Sequence, residues 1–181
     1  MTQQTDHIAA FGSEFTAFWA HWTALPRTGG LPHIRDYLDS AVPRLQPNVS
    51  MMDCLSATAM RVRHMGTAVA EVTGELTGKS SEALYAQNIR AIATQTAWTA
   101  ASHPCGYTVK RTLTTQKGLA MDMHGLVLPI LTDTPDYLCL VAYNDILSFN
   151  RNIKRADRPG FKTVIGFSDV TWLDIGAGVP D

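Results

Sequence analysis

Three extended segments separated only by short turns occupy the C-terminal half of the chain, and they constrain its fold more than any other feature. Residues 107–114, 119–131 and 137–143 are rich in β-branched, aromatic and aliphatic side chains, which favour strands. Residues 116–118 and 133–136, which join them, contain turn-forming Gly, Asp and Pro. Parallel neighbours need a crossover of about a dozen residues or more, so these strands run antiparallel. The sequence therefore predicts a three-stranded meander.

Two shorter strands and two helices precede this meander. The pattern predicts a strand pair at residues 49–55 and 59–65 and a short helix at residues 67–72. It also predicts a long helix from an N-cap at Ser80 to about Ala101. This order of elements is accommodated by an α+β fold, in which a five-stranded antiparallel sheet carries helices on one face.

The chain divides into a central domain and two attached segments. We assign residues 1–30 to an N-terminal flanking helix and linker, and residues 31–147 to the domain, which begins with a short helix within residues 33–42. Residues 148–181 form a C-terminal extension with a terminal strand at residues 161–173. The four basic residues between residues 151 and 158 predict a solvated connection and not a nucleic-acid site, because no aromatic platform is interleaved with them.

The strongest helical periodicity lies in the N-terminal segment. Large apolar residues recur there at alternating spacings of three and four: Ile8, Phe11, Phe15, Phe18, Trp22 and Leu25. This spacing places them on one stripe of an amphipathic helix that ends at Pro26 and Gly29-Gly30. Burial of each such side chain contributes roughly 1.5–3 kcal/mol, so the stripe must be covered. We predict a homodimer seam formed by Phe11, Phe15, Phe18 and Trp22, with packing on the chain's own sheet as the alternative.

Composition and charge exclude several classes of protein. The 181 residues are 45% hydrophobic and 17% charged, as in globular domains and unlike disordered chains. A formal net charge of -1 provides no general attraction for nucleic acid or an anionic membrane. No apolar run has the length of a membrane span, and no secretory signal opens the sequence. Cys54, Cys105 and Cys139 have neither zinc spacing nor an even count, so we expect a reducing cytoplasm.

Several local patterns allow a chemical interpretation and a structural one. Residues 74–80, GELTGKS, resemble a phosphate-binding loop but follow a predicted helix, contain an acidic residue and are one residue short, which favours a structural turn. His64, His103 and His124 are candidate haem or metal ligands, although none has ligand spacing. Asp122 and His124 share one strand face and are an acid–base candidate; solvent-facing polarity is the alternative.

Three short motifs carry a resemblance to a known family. They are the strand and turn at residues 60–67, MRVRHMGT, the turn at residues 74–79, GELTGK, and Leu128-Pro129-Ile130. Together with the order of elements, they resemble a PAS-like family of small alphaproteobacterial single-domain regulatory proteins, over roughly residues 25–143. Members of this family show aromatic residues at the positions of Met60 and Val62 and a leucine at that of His64, so the pocket chemistry of this chain differs from theirs.

This resemblance implies a cytoplasmic sensory or regulatory module. We expect no catalytic activity, because no nucleophile–base, paired-carboxylate or metal-ligand arrangement stands out in the sequence. The module would bind a small ligand or a protein partner, and signal to a downstream protein through helix-mediated dimer contacts. Alternation along residues 60–64 places His64 on the inward face with Met60. We therefore predict a ligand pocket lined by these two side chains and by Asn88, Tyr107 and Met123. The sequence identifies no cofactor; a ligand-free interaction adaptor and a small enzyme that uses the same cup remain alternatives.

Overall fold

The computed structural model describes residues 2–115, 120–134, 138–145 and 161–180. In chain order its elements are helix α1 (Thr2–Ala9), helix α2 (Ser13–Ala24), strand β1 (Arg27–Thr28), strand β2 (Leu31–Pro32), helix α3 (Ile34–Asp39), a 3-10 turn (Gln46–Asn48), strand β3 (Val49–Ser56), strand β4 (Ala59–Met65), helix α4 (Thr67–Thr73), a second 3-10 turn (Ser81–Ala83), helix α5 (Gln87–Ser102), strand β5 (Gly106–Thr115), strand β6 (Ala120–Ile130), strand β7 (Leu138–Asn144) and strand β8 (Phe161–Leu173).

Strands β3 to β8 form one six-stranded antiparallel sheet in the order β4-β3-β7-β6-β5-β8. The α+β class and the antiparallel sheet are therefore confirmed. The five predicted strands form the contiguous part β4-β3-β7-β6-β5, and the C-terminal strand extends the sheet beyond β5. The predicted basic connection at residues 148–160 lies outside the described residues.

The prediction of one continuous N-terminal helix is wrong. Gly12 separates α1 from α2 and has a φ of 114°. Residues other than glycine rarely adopt this backbone conformation. The apolar stripe nevertheless stays on one side, because Ile8 from α1 and Phe15, Phe18 and Trp22 from α2 are all buried together. A helical period can thus continue across a break of a few residues.

Helices cover both faces of the sheet, whereas the sequence predicts helices over one face and a separate N-terminal helix. One core lies between the sheet and α4 and α5, and includes Val62, Val69, Ala97, Tyr107 and Val127. The other lies between the opposite face and α1, α2 and α3, and includes Phe18, Trp22, Tyr37, Leu126 and Val141. Neighbouring strand residues such as Leu126 and Val127 belong to different cores, because side chains alternate across a strand.

The structure corrects the predicted dimer seam. Phe15, Phe18 and Trp22 are buried within the chain, and Trp22 Nε1 donates a hydrogen bond of 3.1 Å to the carbonyl oxygen of Pro129 on β6. Phe11 is half-buried, with its ring centroid 5.2 Å from that of His124. The stripe therefore packs on its own sheet, the alternative stated above. Dimerisation through these four side chains would require α2 to leave that sheet.

Candidate functional site

A row of polar side chains crosses the sheet on the face that α4 and α5 cover. Arg111 on β5 donates a hydrogen bond of 2.6 Å from Nη1 to Oδ1 of Asn144 on β7. Asn144 Nδ2 in turn donates to the Asn48 carbonyl oxygen at 3.0 Å and to Ser50 Oγ at 3.1 Å. These contacts join β5, β7 and the start of β3 through side chains that all lie inside an otherwise apolar core.

Gly125 provides the space through which Arg111 reaches Asn144. It lies on β6 between them, opposite both Val109 and Asn144. A Cβ atom at Gly125 would lie 2.7 Å from Arg111 Nη2 and 3.2 Å from Arg111 Cζ. Real Cβ atoms essentially never approach another heavy atom so closely, so a larger residue would displace the guanidinium group. The absence of a side chain at Gly125 thus leaves room for the guanidinium group of Arg111.

The positive charge of Arg111 is buried without a negative partner among the described residues. The side chain belongs to a residue that is 7% exposed, and its Nε has no hydrogen-bond partner there. The ion pairs that the described part of the chain forms involve other cations. A guanidinium cannot lose its charge by deprotonation, and burying an uncompensated charge costs several kcal/mol. An arginine placed in this way is suited to receive an anion.

Arg111 faces a small cavity between the sheet and the helices. The space available to the centre of a water molecule is about 30 Å³, enough for about two waters. Flexible methionines and two buried tyrosines supply much of its wall: Met52, Met60, Met65, Met123, Tyr85 and Tyr107. Because methionine side chains change conformation at little cost, such a wall can open around a larger guest.

Both cavity tyrosines are neutral hydroxyl groups at physiological pH. Burial raises the pKa of Tyr85 and of Tyr107, and the nearby charge of Arg111 only partly opposes this effect. Ring contacts hold them in place, since Tyr107 lies 5.6 Å from Trp172 and Tyr85 lies 6.4 Å from Phe167, measured between ring centroids. The site therefore combines one fixed cation with neutral polar groups and an apolar wall.

The structure brings three of the five predicted ligand residues together. Met60, Tyr107 and Met123 line the cavity. His64 is exposed instead, because the pairing of β3 with β4 shifts register. Met51 lies opposite His64 and Met52 opposite Val62, so Arg63 is an extra residue on β4. This β-bulge reverses the alternation, and Met65 takes the buried position predicted for His64.

A buried carboxylate holds the bulge. Asp53 on β3 is 1% exposed and accepts hydrogen bonds from Arg61 Nη2 at 2.8 Å and from Arg63 Nε at 2.5 Å. The two arginines that alternate with apolar residues in the sequence therefore both donate hydrogen bonds to the carboxylate of Asp53. The sequence pattern showed both arginines but not that the strand between them is irregular.

Asn88 is also exposed and does not line the cavity. The inward side of α5 consists of small residues: Ala93, Thr94, Thr96, Ala97, Ala100 and Ala101. These small side chains let the helix lie close to the sheet, whereas the larger Ile92 is 54% exposed.

The helix also begins later than predicted, since Ala86 and not Ser80 is its N-cap. The segment before it docks on β8 through hydrogen bonds of 2.9 Å from Ala86 N to Val164 O and from Val164 N to Leu84 O.

Residues 74–80 form a structural turn. Glu75 Oε1 accepts from the Thr77 amide at 2.7 Å, and the Gly78 amide donates to the Val62 carbonyl on β4 at 2.7 Å. The Lys79 amide donates to the Leu76 carbonyl at 2.9 Å. Because these amides are used within the chain, they are not presented together to a phosphate group. The turn instead docks on β4, at the edge of the sheet.

The other predicted chemical candidates have separate surroundings. Asp122 accepts a hydrogen bond from Thr112 Oγ1 at 2.7 Å, while His124 packs against Phe11. His103 is exposed at the C-terminus of α5. In residues 2–115, 120–134, 138–145 and 161–180, no group of three or more His, Cys, Asp or Glu side chains could hold a metal ion. None of the helices in these ranges is both long enough and apolar enough to cross a membrane.

Arg111 and Asn144 are the site residues that sequence reasoning missed. A signal for Arg111 was present, because Tyr107, Val109, Arg111 and Leu113 occupy alternate positions of one strand. An arginine among inward-facing apolar residues indicates a buried charge.

No protein-family model, curated protein or solved structure matches the chain.

Proposed function

We propose that this chain is a PAS-like sensory or regulatory module that binds a small molecule in the cavity between its sheet and α5. The observation that carries the proposal is the cavity itself, with flexible methionine walls and a buried, under-compensated arginine. Apolar enclosure with a few convergent polar groups is the usual character of a small-molecule site. The module acts by binding and not by catalysis.

The positions of the motif residues support a PAS-like assignment. The first two strands of the five-stranded part are followed by α4 and α5 and then by three further strands, as the resemblance implies. Gly66 of the MRVRHMGT segment caps α4, and a Cβ there would lie 2.4 Å from the Gln46 carbonyl oxygen. Pro129 of the third motif accepts the hydrogen bond from Trp22. Each motif thus has a structural role.

The sheet offers a direct route from the cavity to the N-terminal helices. On β7, Leu140 and Ala142 line the cavity, while Val141 and Tyr143 belong to the core under α2. The ring of Tyr143 lies 5.1 Å from that of Phe15, measured between centroids. A ligand that moves β7 therefore changes the packing of α2, and a downstream protein that prefers one arrangement receives the signal.

A thermal-shift screen against a library of uncharged and charged fragments tests the proposal. Binding to the folded state raises the unfolding temperature, and the rise grows with the logarithm of ligand concentration over dissociation constant. The cavity-filling variant Ala97→Val should abolish the response, because Ala97 lines the cavity. Ala20→Val, on the exposed side of α2, makes the same chemical change outside the cavity and should retain it. Fragments that stabilise all three proteins equally, or none of them, would contradict a cavity-binding function.

A ligand-free interaction module is the second candidate. The observation that favours it is the small volume of the cavity, about 30 Å³ for the centres of water molecules. In that case the core acts only as a scaffold, and partner binding takes place on the outer surface. Ala97→Val would then leave every activity of the protein unchanged. The fragment screen therefore separates the two candidates.

A further inference from the structure

We infer that the cavity is specific for a small organic monocarboxylate whose carboxylate group binds Arg111 and whose apolar body lies among the methionines. This inference rests on the proposed function, because it names the class of ligand for the same site. The site supplies the cation, the shape and the apolar surroundings that such a ligand requires.

The charge requirement follows from Arg111. Its guanidinium group has a single hydrogen-bond acceptor among the described residues, the neutral amide oxygen of Asn144 at 2.6 Å, and its Nε has none. Nε and Nη2 form the side-on fork of a guanidinium group, and a planar carboxylate can accept from both atoms at once. A ligand carboxylate would therefore satisfy the unpartnered donor and neutralise the buried charge in one step.

The count of cations excludes ligands of higher charge. Among the described residues that line the cavity, Arg111 is the one permanently charged side chain. A phosphate monoester carries close to two negative charges at neutral pH, so one of them would remain uncompensated in an apolar site. A carboxylate carries one negative charge, and one guanidinium group balances it. The site thus favours a monocarboxylate over a phosphorylated metabolite.

The walls define the remainder of the ligand. Met52, Met60 and Met123 line the cavity together with Val62, Val69 and Leu140. The space present holds about two water molecules, which is close to the size of a carboxylate group. A short apolar body would occupy additional space made by rotation of the methionine side chains. The ligand class is therefore an aliphatic or small aromatic acid.

The test measures affinity for matched acids and amides by isothermal titration calorimetry. Hexanoate and hexanamide have the same length and differ in charge; butanoate and octanoate vary the apolar body. We expect wild type to bind hexanoate at least about tenfold more tightly than hexanamide, since a hydrogen bond to a charged group is stronger than one between neutral groups. Equal affinities, or tighter binding of hexanamide, would overturn the inference while leaving a cavity-binding function in place.

Two variants assign the preference to Arg111. Arg111→Met should bind hexanoate and hexanamide with similar affinity, and urea denaturation of the variant checks that it still folds. Arg44→Met removes an exposed arginine that pairs with Glu14 and should keep the full preference. A preference that survives Arg111→Met would place the carboxylate elsewhere and refute the assignment. Failure of every acid and amide to bind wild type would refute the inference, while the response to the fragment library decides the proposed function separately.

Discussion

Arg111 and Asn144 lie on strands that are not neighbours, and their side chains meet across Gly125 of the strand between them. The bond from Nη1 to Oδ1 is 2.6 Å long, and a Cβ atom at Gly125 would lie 2.7 Å from Nη2 of the same guanidinium group. The relationship joins the fold to the proposed site. The amide of Asn144 holds the buried guanidinium group of Arg111 at the cavity, and Gly125 leaves the space that this group occupies.

Substituting Gly125 by alanine should push the guanidinium group away from Asn144. We expect Gly125→Ala to lower the free energy of unfolding by about 1–3 kcal/mol, the usual cost of overpacking, and to weaken the acid preference. Urea denaturation measures the first effect. In an Arg111→Met background the same substitution should cost less, with a coupling energy of about 0.5–3 kcal/mol. Additive costs would show that Gly125 and Arg111 do not interact.

Truncating Trp22 should destabilise the fold of the chain and leave its association state unchanged. Trp22 is fully buried and donates a hydrogen bond to Pro129, so Trp22→Ala should cost about 3–5 kcal/mol. Leu38→Ala, at a residue that is 53% exposed on α3, should stay within about 0.5 kcal/mol of wild type. Light scattering provides the second measurement. A dimer that dissociates on truncation of Trp22, without loss of stability, would support the seam predicted from sequence.

Acid should weaken the fold through His21. Burial lowers the pKa of His21 below its ordinary value of 6.5, although a hydrogen bond with the Tyr37 backbone acts in the opposite direction. The unfolded chain therefore binds a proton more readily, and the stability contributed by the neutral ring is lost as the pH falls below 6.5. His21→Gln should flatten the dependence of unfolding free energy on pH in that range. A pH dependence that is the same in His21→Gln as in wild type would refute the role of His21.

The three thiols should be inert in the native state. Burial raises the pKa of Cys54 to about 12, that of Cys105 to about 11 and that of Cys139 to about 12. Because the thiolate is the reactive form, a disulfide reagent at pH 8 should modify them only as fast as the protein opens. All three should react at once in denaturant. Rapid modification of one thiol in the folded protein would show that its surroundings are open to solvent.

The sequence predicts the strands well because their signals are local. The bounds predicted for β4 and β8 agree with the structure, and those of β5, β6 and β7 differ by a residue or so. Alternation of apolar residues and short turns is sufficient for this, because both act within a few residues. The antiparallel arrangement follows from the same turns.

The candidate site was only half predictable, because its geometry depends on irregularities and on long-range contacts. The bulge at Arg63 turns His64 outward, and it is held by Asp53 on another strand. The inward face of α5 consists of alanine and threonine side chains, and Asn88 is not part of it. Asn144 becomes a site residue only through Arg111, 33 positions away in sequence.

Ligand binding in the cavity is tested most directly by labelling the protein with ¹³C at the methionine methyl groups and titrating it with hexanoate and with hexanamide. Met51 and Met52 are neighbours on β3, but Met52 lines the cavity while Met51 lies in the core under the N-terminal helices. We predict that the methyl resonances of Met52, Met60 and Met123 shift in a saturable manner and that the resonance of Met51 shifts less. Unchanged resonances for all of the cavity methionines, with either compound, would contradict binding of these ligands in the cavity.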